Sequence, residues 1–482
     1  MRGVSPSLKP EATAMSAAPA TATPVVAPTN PRSRVVVASL IGTSIEFFDF
    51  YVYATAAVLV FPALFFANDD PAVAQLQSLA VFGVAFFARP IGSVLFGHFG
   101  DRFGRTRTLV ASLLTMGIAT VLIGSLPSGQ TPGWEIAAPA ALALLRFIQG
   151  LGLGGEWGGA ALLATENAPA GKRAIYGTFP QLGAPIGFFL STGLFLVLSL
   201  TLSPADLQAW GWRVPFLASA VLVLVGLYVR VKLVEAPEFQ AVLDRGATSR
   251  LPLGRTVRTG WRGLVLGALA LLAIFTLFYL MTTFTVTYGT SPRTAEAAEA
   301  AATKAGKPFD ASSFHAGLGY ARTDFLLMLL VGVVFFAIAI VASGVLAERR
   351  GARPIVAVSA AGMVVFGLLM DPLLSAGLPG TLMFVVLGFA LIGIGYGAVG
   401  SLLPGLFAAD VRYTGASLAF SLAGIIGGAV APFIATWLWD IGGGGVMLVG
   451  VYLSIASAIS FVALLVLREH GETRAAVGAD AA

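Results

Sequence analysis

The sequence predicts an all-α polytopic membrane protein with twelve transmembrane helices in two six-helix bundles. Three observations point to it. The 482 residues are 57% hydrophobic and only 11% charged, whereas a soluble domain carries roughly 25% charged residues. Twelve apolar stretches are each about long enough to cross a bilayer, with polar loops between them. A charged, glycine-bearing turn occurs once in each half of the chain, which points to an internal duplication.

Residues 1–33 are rich in Ala, Pro, Thr and Ser and hold no long apolar run. They read as a disordered cytoplasmic tail rather than a cleaved signal peptide. The expected spans are 35–62, 76–97, 108–126, 137–164, 174–200, 212–233, 263–288, 322–346, 354–371, 380–406, 413–439 and 446–467. The longest of them must tilt, kink or protrude. The basic loop 234–262 separates an N-terminal bundle, 34–233, from a C-terminal bundle, 263–468. It reads as a semi-ordered cytoplasmic linker with an amphipathic segment. The stretch 290–320 includes Ala295 to Ala302, interrupted by Glu296 and Glu299, and suits a short surface helix. Residues 469–482 form a second cytoplasmic tail.

The placement of Lys and Arg fixes an orientation. With the N-terminus inside, Arg102, Arg105, Arg107, Lys172, Arg173, Arg230, Lys232, Arg349, Arg350, Arg353 and Arg412 fall on the cytoplasmic side. Only Arg213, Arg293, Lys304, Lys307 and Arg322 fall outside. A multi-pass protein of a bacterial-type inner membrane is expected, with both termini cytoplasmic.

The first copy of the turn is Gly97-His98-Phe99-Gly100-Asp101-Arg102-Phe103-Gly104-Arg105-Thr106-Arg107. Gly100 and Gly104 permit tight backbone geometry, and the charges of the turn can lock to neighbouring helix ends. In the second copy Gly344 matches Gly97, Glu348 matches Asp101, Arg349 matches Arg102 and Gly351 matches Gly104. Ala352 stands where Arg105 stands, so the second gate should be the weaker. Glu166 faces Lys172 and Arg173 in the next inner loop, and could instead reach Arg102 or Arg105 as a latch.

Charges that cannot avoid the hydrocarbon are functional or paired. Glu46 and Asp49 share a helical face, about 18 and 22 Å along span 1 from Arg34. Two close carboxylates disfavour double ionisation, so one or both can take up a coupling proton. The alternative is permanent pairing with a buried arginine. Arg89, beside the helix-kinking Pro90, needs an acid partner or an anionic ligand. An Arg89–Glu156 ion pair is plausible, with both at similar depth. Arg146 and Gln149 share a face of span 4, and Arg146 answers either the span 1 carboxylates or a substrate carboxylate. Trp157 reads as packing. Gly183-Ala184-Pro185-Ile186-Gly187 and Gly424-Ile425-Ile426-Gly427-Gly428 are matching small-residue surfaces in spans 5 and 11. In the second half Tyr279 and Tyr396 offer uncharged hydrogen bonds to a substrate.

The absence of cysteine excludes disulfides and thiol chemistry within the chain. The histidines, His98, His315 and His470, all lie away from mid-membrane, and no nucleophile–base set or phosphate loop is visible. An enzyme is not expected, nor a cofactor, a metal or a nucleic-acid partner.

The chain resembles the major facilitator superfamily, and within it the metabolite:proton symporters that include shikimate, α-ketoglutarate and proline/betaine carriers. The residues that carry the likeness are Ile45-Glu46-Phe47-Phe48-Asp49-Phe50-Tyr51, Arg89-Pro90-Ile91-Gly92, Gly97 to Arg107, Arg146 to Gly159, Trp212-Arg213-Val214-Pro215-Phe216 and Val411-Arg412-Tyr413-Thr414-Gly415. They stand in family order over residues 34 to 468. The resemblance implies alternating access to a cavity lined by spans 1, 4, 7 and 10. It assigns Asp101, Arg102 and Arg105 to the inner gating turn. One departure matters: the family's Pro-Glu-Leu-Phe-Pro run reads Pro404-Gly405-Leu406-Phe407-Ala408 here, without the acid.

The resulting expectation is a monomeric, lipid-embedded, proton-coupled importer of a small organic metabolite, a carboxylate by preference. Its coupling sites are Asp49 and Glu46. Arg146, Gln149, Arg89, Tyr279 and Tyr396 bind substrate, and Asp101, Arg102, Arg105, Glu166, Glu348 and Arg349 form the gates. A proton-driven exporter and a non-transport sensor are the rival readings.

Overall fold

Eleven helices are long and apolar enough to cross a membrane, and a twelfth of 17 residues follows the same pattern. The computed structural model describes residues 31–66, 71–231, 252–304, 311 and 314–467. The expected tails, residues 31–33 excepted, and most of the expected linker lie outside the described residues. We number the helices α1 (Arg32–Leu59), α2 (Leu76–Phe103), α3 (Arg105–Ser125), α4 (Ala137–Glu166), α5 (Arg173–Thr201), α6 (Leu207–Val231), α7 (Leu253–Thr290), α8 (Arg322–Arg350), α9 (Ala352–Leu368), α10 (Gly377–Gly405), α11 (Arg412–Ile441) and α12 (Met447–Val466). The described residues contain no strand.

Three boundaries differ from expectation. The turn at 97–107 is almost wholly helix: α2 runs to Phe103, α3 starts at Arg105, and only Gly104 breaks the run, at φ 117°. Gly351 repeats this between α8 and α9 at φ 86°. A side chain at either position would be strained, so each glycine marks the corner. Gly97 and Gly100 have another use. A Cβ on Gly97 would lie 2.8 Å from the Thr414 Cα, and one on Gly100 2.2 Å from the Tyr413 ring. They let α11 approach, rather than letting α2 turn. Secondly, the helix of α7 begins at Pro252, so the last part of the expected linker is its basic, amphipathic first turns. Thirdly, α9 stops at Leu368, and Met370–Ser375 is a separate short helix. The stretch Ala295–Lys304 is helical and largely exposed, as its sequence predicts.

The helices sort into two groups by contact. In one, α1 packs on α5 and α6, α2 on α4, and α3 on α4 and α6; in the other, α7 packs on α11 and α12, α8 on α10, and α9 on α10 and α12. The duplication is visible in this geometry. Gly183 and Gly187 of α5 lie against Thr43 and Phe47 of α1, while Gly427 and Gly428 of α11 lie against Phe275 and Tyr279 of α7. Between the groups, α2 and α4 meet α11, and α5 meets α8 and α10.

Candidate transport site

The groups part around a cavity at mid-depth. It measures ≈ 30 Å³ and is lined by aromatic rings from both groups, Phe50, Tyr51, Phe275, Phe278, Tyr279, Phe336, Tyr396 and Phe420 among them. Its one charged lining residue, among the described residues, is Arg89. The guanidinium lies 5.7 Å from the Phe50 ring centre and 5.9 Å from that of Phe420. It donates to Glu46 Oε1 at 3.0 Å. Glu46 itself is fully buried behind the lining, and its Oε2 has no hydrogen-bond partner. A larger cleft of ≈ 240 Å³ continues from Phe50, Tyr51 and Tyr279 between α1, α5, α7 and α8 to the end opposite the 97–107 corner. Arg322 stands at its mouth.

The expected Arg89–Glu156 pair does not form. Residue 154 is glycine because a Cβ there would sit 2.1 Å from the Arg89 carbonyl oxygen. With the α2 and α4 backbones this close, Arg89 extends towards α1, and Glu156 turns towards α3 and α6. There Arg230 Nη1 donates to Glu156 Oε2 at 2.9 Å, Nη2 holds Oε1, and Ser112 adds a bond at 3.1 Å. Arg230 is 1% exposed, so it is no cytoplasmic loop cation. Gly42 makes room, since a Cβ there would overlap the guanidinium at 1.6 Å.

Asp49 and Glu46 share a helical face, yet they do not form a dyad. Asp49 Oδ2 accepts from the Thr120 hydroxyl at 3.0 Å, and Thr120 accepts from Gln149 Nε2 at 2.8 Å. Gln149 Oε1 in turn holds Arg146. Asp49 and Arg146 are therefore the ends of one four-residue chain without touching. Asp49 Oδ1 and the Ser219 hydroxyl face each other without closing a bond. Arg146 has no direct acid partner among the described contacts. It lies instead 4.0 Å from the Tyr53 ring centre and about as close to Phe50 and Phe82, at 5.1 and 5.0 Å. The rings separate it from the cavity, so Arg146 and Gln149 do not line it, whereas Arg89, Tyr279 and Tyr396 do.

At the basic end the groups are latched. Asp101 accepts from the Tyr413 and Thr414 amides at 3.2 and 3.0 Å and from the Thr414 hydroxyl at 2.8 Å. It thereby caps α11 across the interface, where a helix N-terminus favours an anion. Glu348 does the same for α5, accepting from the Ala174 and Ile175 amides at 2.8 and 3.1 Å. Glu166 pairs with Arg105 and, at 3.2 Å, with Arg412 of α11, and Arg105 reaches the Ala409 carbonyl at 3.2 Å. Arg102, assigned to the gate by resemblance, and Arg349, its match in the second copy of the turn, are exposed and outside these contacts; Arg102 covers the neighbouring Phe103 ring at 5.1 Å. The caps are symmetric, but the ion cluster is not. Ala352 replaces Arg105, and Gly405 precedes Arg412 by the interval at which Glu166 precedes Arg173. Further inward, Trp157 stacks on Phe420 with ring centres 4.0 Å apart, and Gln181 bridges the Trp157 indole and the Tyr396 carbonyl at 2.8 and 2.9 Å.

Two bundles related by duplication, closed at one end over an aromatic cavity that holds one cation, are the architecture of an alternating-access carrier. The description "Sugar (and other) transporter" names the family whose profile matches residues 35–255 and 311–473. The chain belongs to this family of the major facilitator superfamily. It is 51% identical over 444 residues to the inner membrane metabolite transport protein YhjE of Escherichia coli (strain K12), covering 92% of this chain and 95% of that one. It is 35% identical over 446 residues to the shikimate transporter of the same organism, covering 90% and 94%. A solved structure of the proton:xylose symporter XylE is similar in fold, with a TM-score of 0.65 over 90% of this chain and 94% of that one, at 18% identity. This major facilitator protein is thus a multi-pass metabolite transporter and not an enzyme.

Sequence reasoning missed several members of the site. Thr120 and Ser112 carry a legible signal, since with Met116 they form one stripe of α3, at helical spacing, that faces two of the buried acids, Asp49 and Glu156. Ser93, which bonds the Gly154 carbonyl at 2.9 Å and the Ser421 hydroxyl at 2.7 Å across the interface, carries none.

Proposed function

We propose that the protein is a proton-coupled symporter that imports a small organic carboxylate, with its basic end cytoplasmic. In this state the carrier faces outward: the cytoplasmic end is latched, and the cleft leads from the outer surface to Arg89. The observation that carries the reading is Asp49. It is a buried carboxylate with no direct cation partner, joined only through Thr120 and Gln149 to Arg146. A buried charge without a partner is expensive. Taking up a proton removes that charge from Asp49, and releasing it inside restores it. The names of the relatives and of the structural neighbour are consistent with solute–proton transport.

The test uses proteoliposomes with an imposed proton gradient and a panel of labelled carboxylates. Asp49→Asn is expected to abolish gradient-driven accumulation while one-for-one exchange of solute persists. Accumulation that survives Asp49→Asn and ignores a protonophore would refute proton coupling. Accumulation driven outward by the gradient would assign the protein to export.

A further inference from the structure

We propose that the solute carries a single negative charge, and that its carboxylate replaces Glu46 as the partner of Arg89 while Glu46 takes a proton. The inference rests on the symport reading above and adds the charge of the substrate and the atom it displaces.

Charge conservation inside the barrier is the first support. In the empty site Arg89 is balanced by Glu46 at 3.0 Å. A monoanion entering the cavity would leave Arg89 facing two carboxylates, a net buried negative charge. One proton on Glu46 restores neutrality. Empty and loaded sites then hold the same net charge, so neither form carries an extra electrostatic penalty through the conformational change.

The cavity itself limits the ligand. Arg89 is its one charged lining residue among the described residues, so the second charge of a dicarboxylate would meet aromatic rings instead of a cation. Glu46 sits behind the lining with no exposed surface, so the ammonium of a zwitterion would face Arg89 without a carboxylate to oppose it. A monocarboxylate with a flat or apolar body meets both charge limits, its carboxylate on Arg89 and its body along the rings into the ≈ 240 Å³ cleft that continues from Phe50, Tyr51 and Tyr279. The tyrosine hydroxyls offer further bonds, and that of Tyr51 has no partner. Glu46 Oε2, also without a partner, can receive the proton before Oε1 gives up Arg89 to the incoming carboxylate.

The experiment is uptake into proteoliposomes of labelled shikimate, benzoate and lactate, with α-ketoglutarate and proline as competitors, at several external pH values. In wild type the half-saturating concentration of the transported monocarboxylate should rise with pH, by up to about tenfold per unit for each linked proton, one on Asp49 and one on Glu46. Glu46→Gln, a neutral stand-in for the protonated acid, should remove the Glu46 share of that dependence and leave the share of Asp49. It should keep exchange and lose net uptake, because its empty site holds an unbalanced Arg89. Monocarboxylates should compete at least tenfold better than α-ketoglutarate or proline. A Glu46→Gln protein with the wild-type pH dependence would overturn the proposal. So would α-ketoglutarate or proline competing as well as the monocarboxylates, which wild type alone decides if the variant does not fold. If no carboxylate enters wild type under any gradient, the symport reading falls, and this proposal with it. Proton-driven entry of dicarboxylates alone would overturn only this one.

Discussion

Replacing Asp101 with alanine should open the basic end. Asp101 holds two backbone amides and one hydroxyl at the start of α11 across the interface between the bundles. A hydrogen bond to a charged acceptor contributes about 1.5–3 kcal/mol net. In the open state water can serve the freed amides, so about 2 kcal/mol is a conservative loss for the latched state. At RT of about 0.59 kcal/mol that is roughly a 30-fold shift in population. The chain has no cysteine, so a single reporter thiol reads out without background. Ser417→Cys places it at the closed end, where residue 417 is 1% exposed and packs on Gly158. Thr55→Cys places it in the open cleft. With Asp101→Ala, maleimide labelling at 417 should accelerate by at least tenfold, and labelling at 55 should slow. Unchanged rates at both positions would refute the idea that the cap holds this end closed.

Two further outcomes follow from the packing. Arg230→Ala leaves Glu156 charged, buried and unpaired, which should destabilise the fold by about 3–5 kcal/mol, read as a lowered melting temperature in detergent; adding Glu156→Gln should recover part of the loss. Gly400→Val should separate α10 from α5, since a Cβ there would lie 2.1 Å from the Gly177 carbonyl oxygen, and should raise labelling at 417 as Asp101→Ala does.

Much of the fold was legible because a bilayer imposes a coarse rule. Apolar length gave all twelve helices, and the second turn revealed the duplication. The ends were harder. Gly100 reads as a turn former, yet it lies inside α2, as Gly97 does, because a partner helix needs their bare surface. The buried charges were recognisable one by one, since each is anomalous where it stands. Their pairing was not, because helix rotation decides it. Glu156 and Arg89 match in depth but point apart, and Arg230 appears from the end of α6 to take the acid. Depth along a helix is a one-dimensional quantity; partnership requires the angle as well. The gating residues show the same limit. The repeat identified Asp101 and Glu348 correctly as equivalents, but nothing in the spacing turned Arg102 and Arg349 out towards solvent.

The two halves have divided their labour, and the division explains the unequal latch. Among the described residues, the intramembrane ion pairs Glu46–Arg89 and Glu156–Arg230 both lie in the first bundle. The second bundle gives most of the cavity rings, among them Phe278, Tyr279, Tyr396 and Phe420, beside Phe47, Phe50 and Tyr51 of the first. A carrier must leave its closed state as readily as it enters it, so the interface bonds at one end cannot be made arbitrarily strong. Two helix caps across the interface are retained, one from each half. The ion cluster is built once, from Arg105, Glu166 and Arg412, and its counterpart is erased at both Ala352 and Gly405. By the same interval Arg173 is the counterpart of Arg412, so the second end keeps that one cation but lacks the acid and the other arginine of the cluster. The pair of small residues weakens the second latch, in a protein whose first bundle holds both intramembrane ion pairs seen among the described residues.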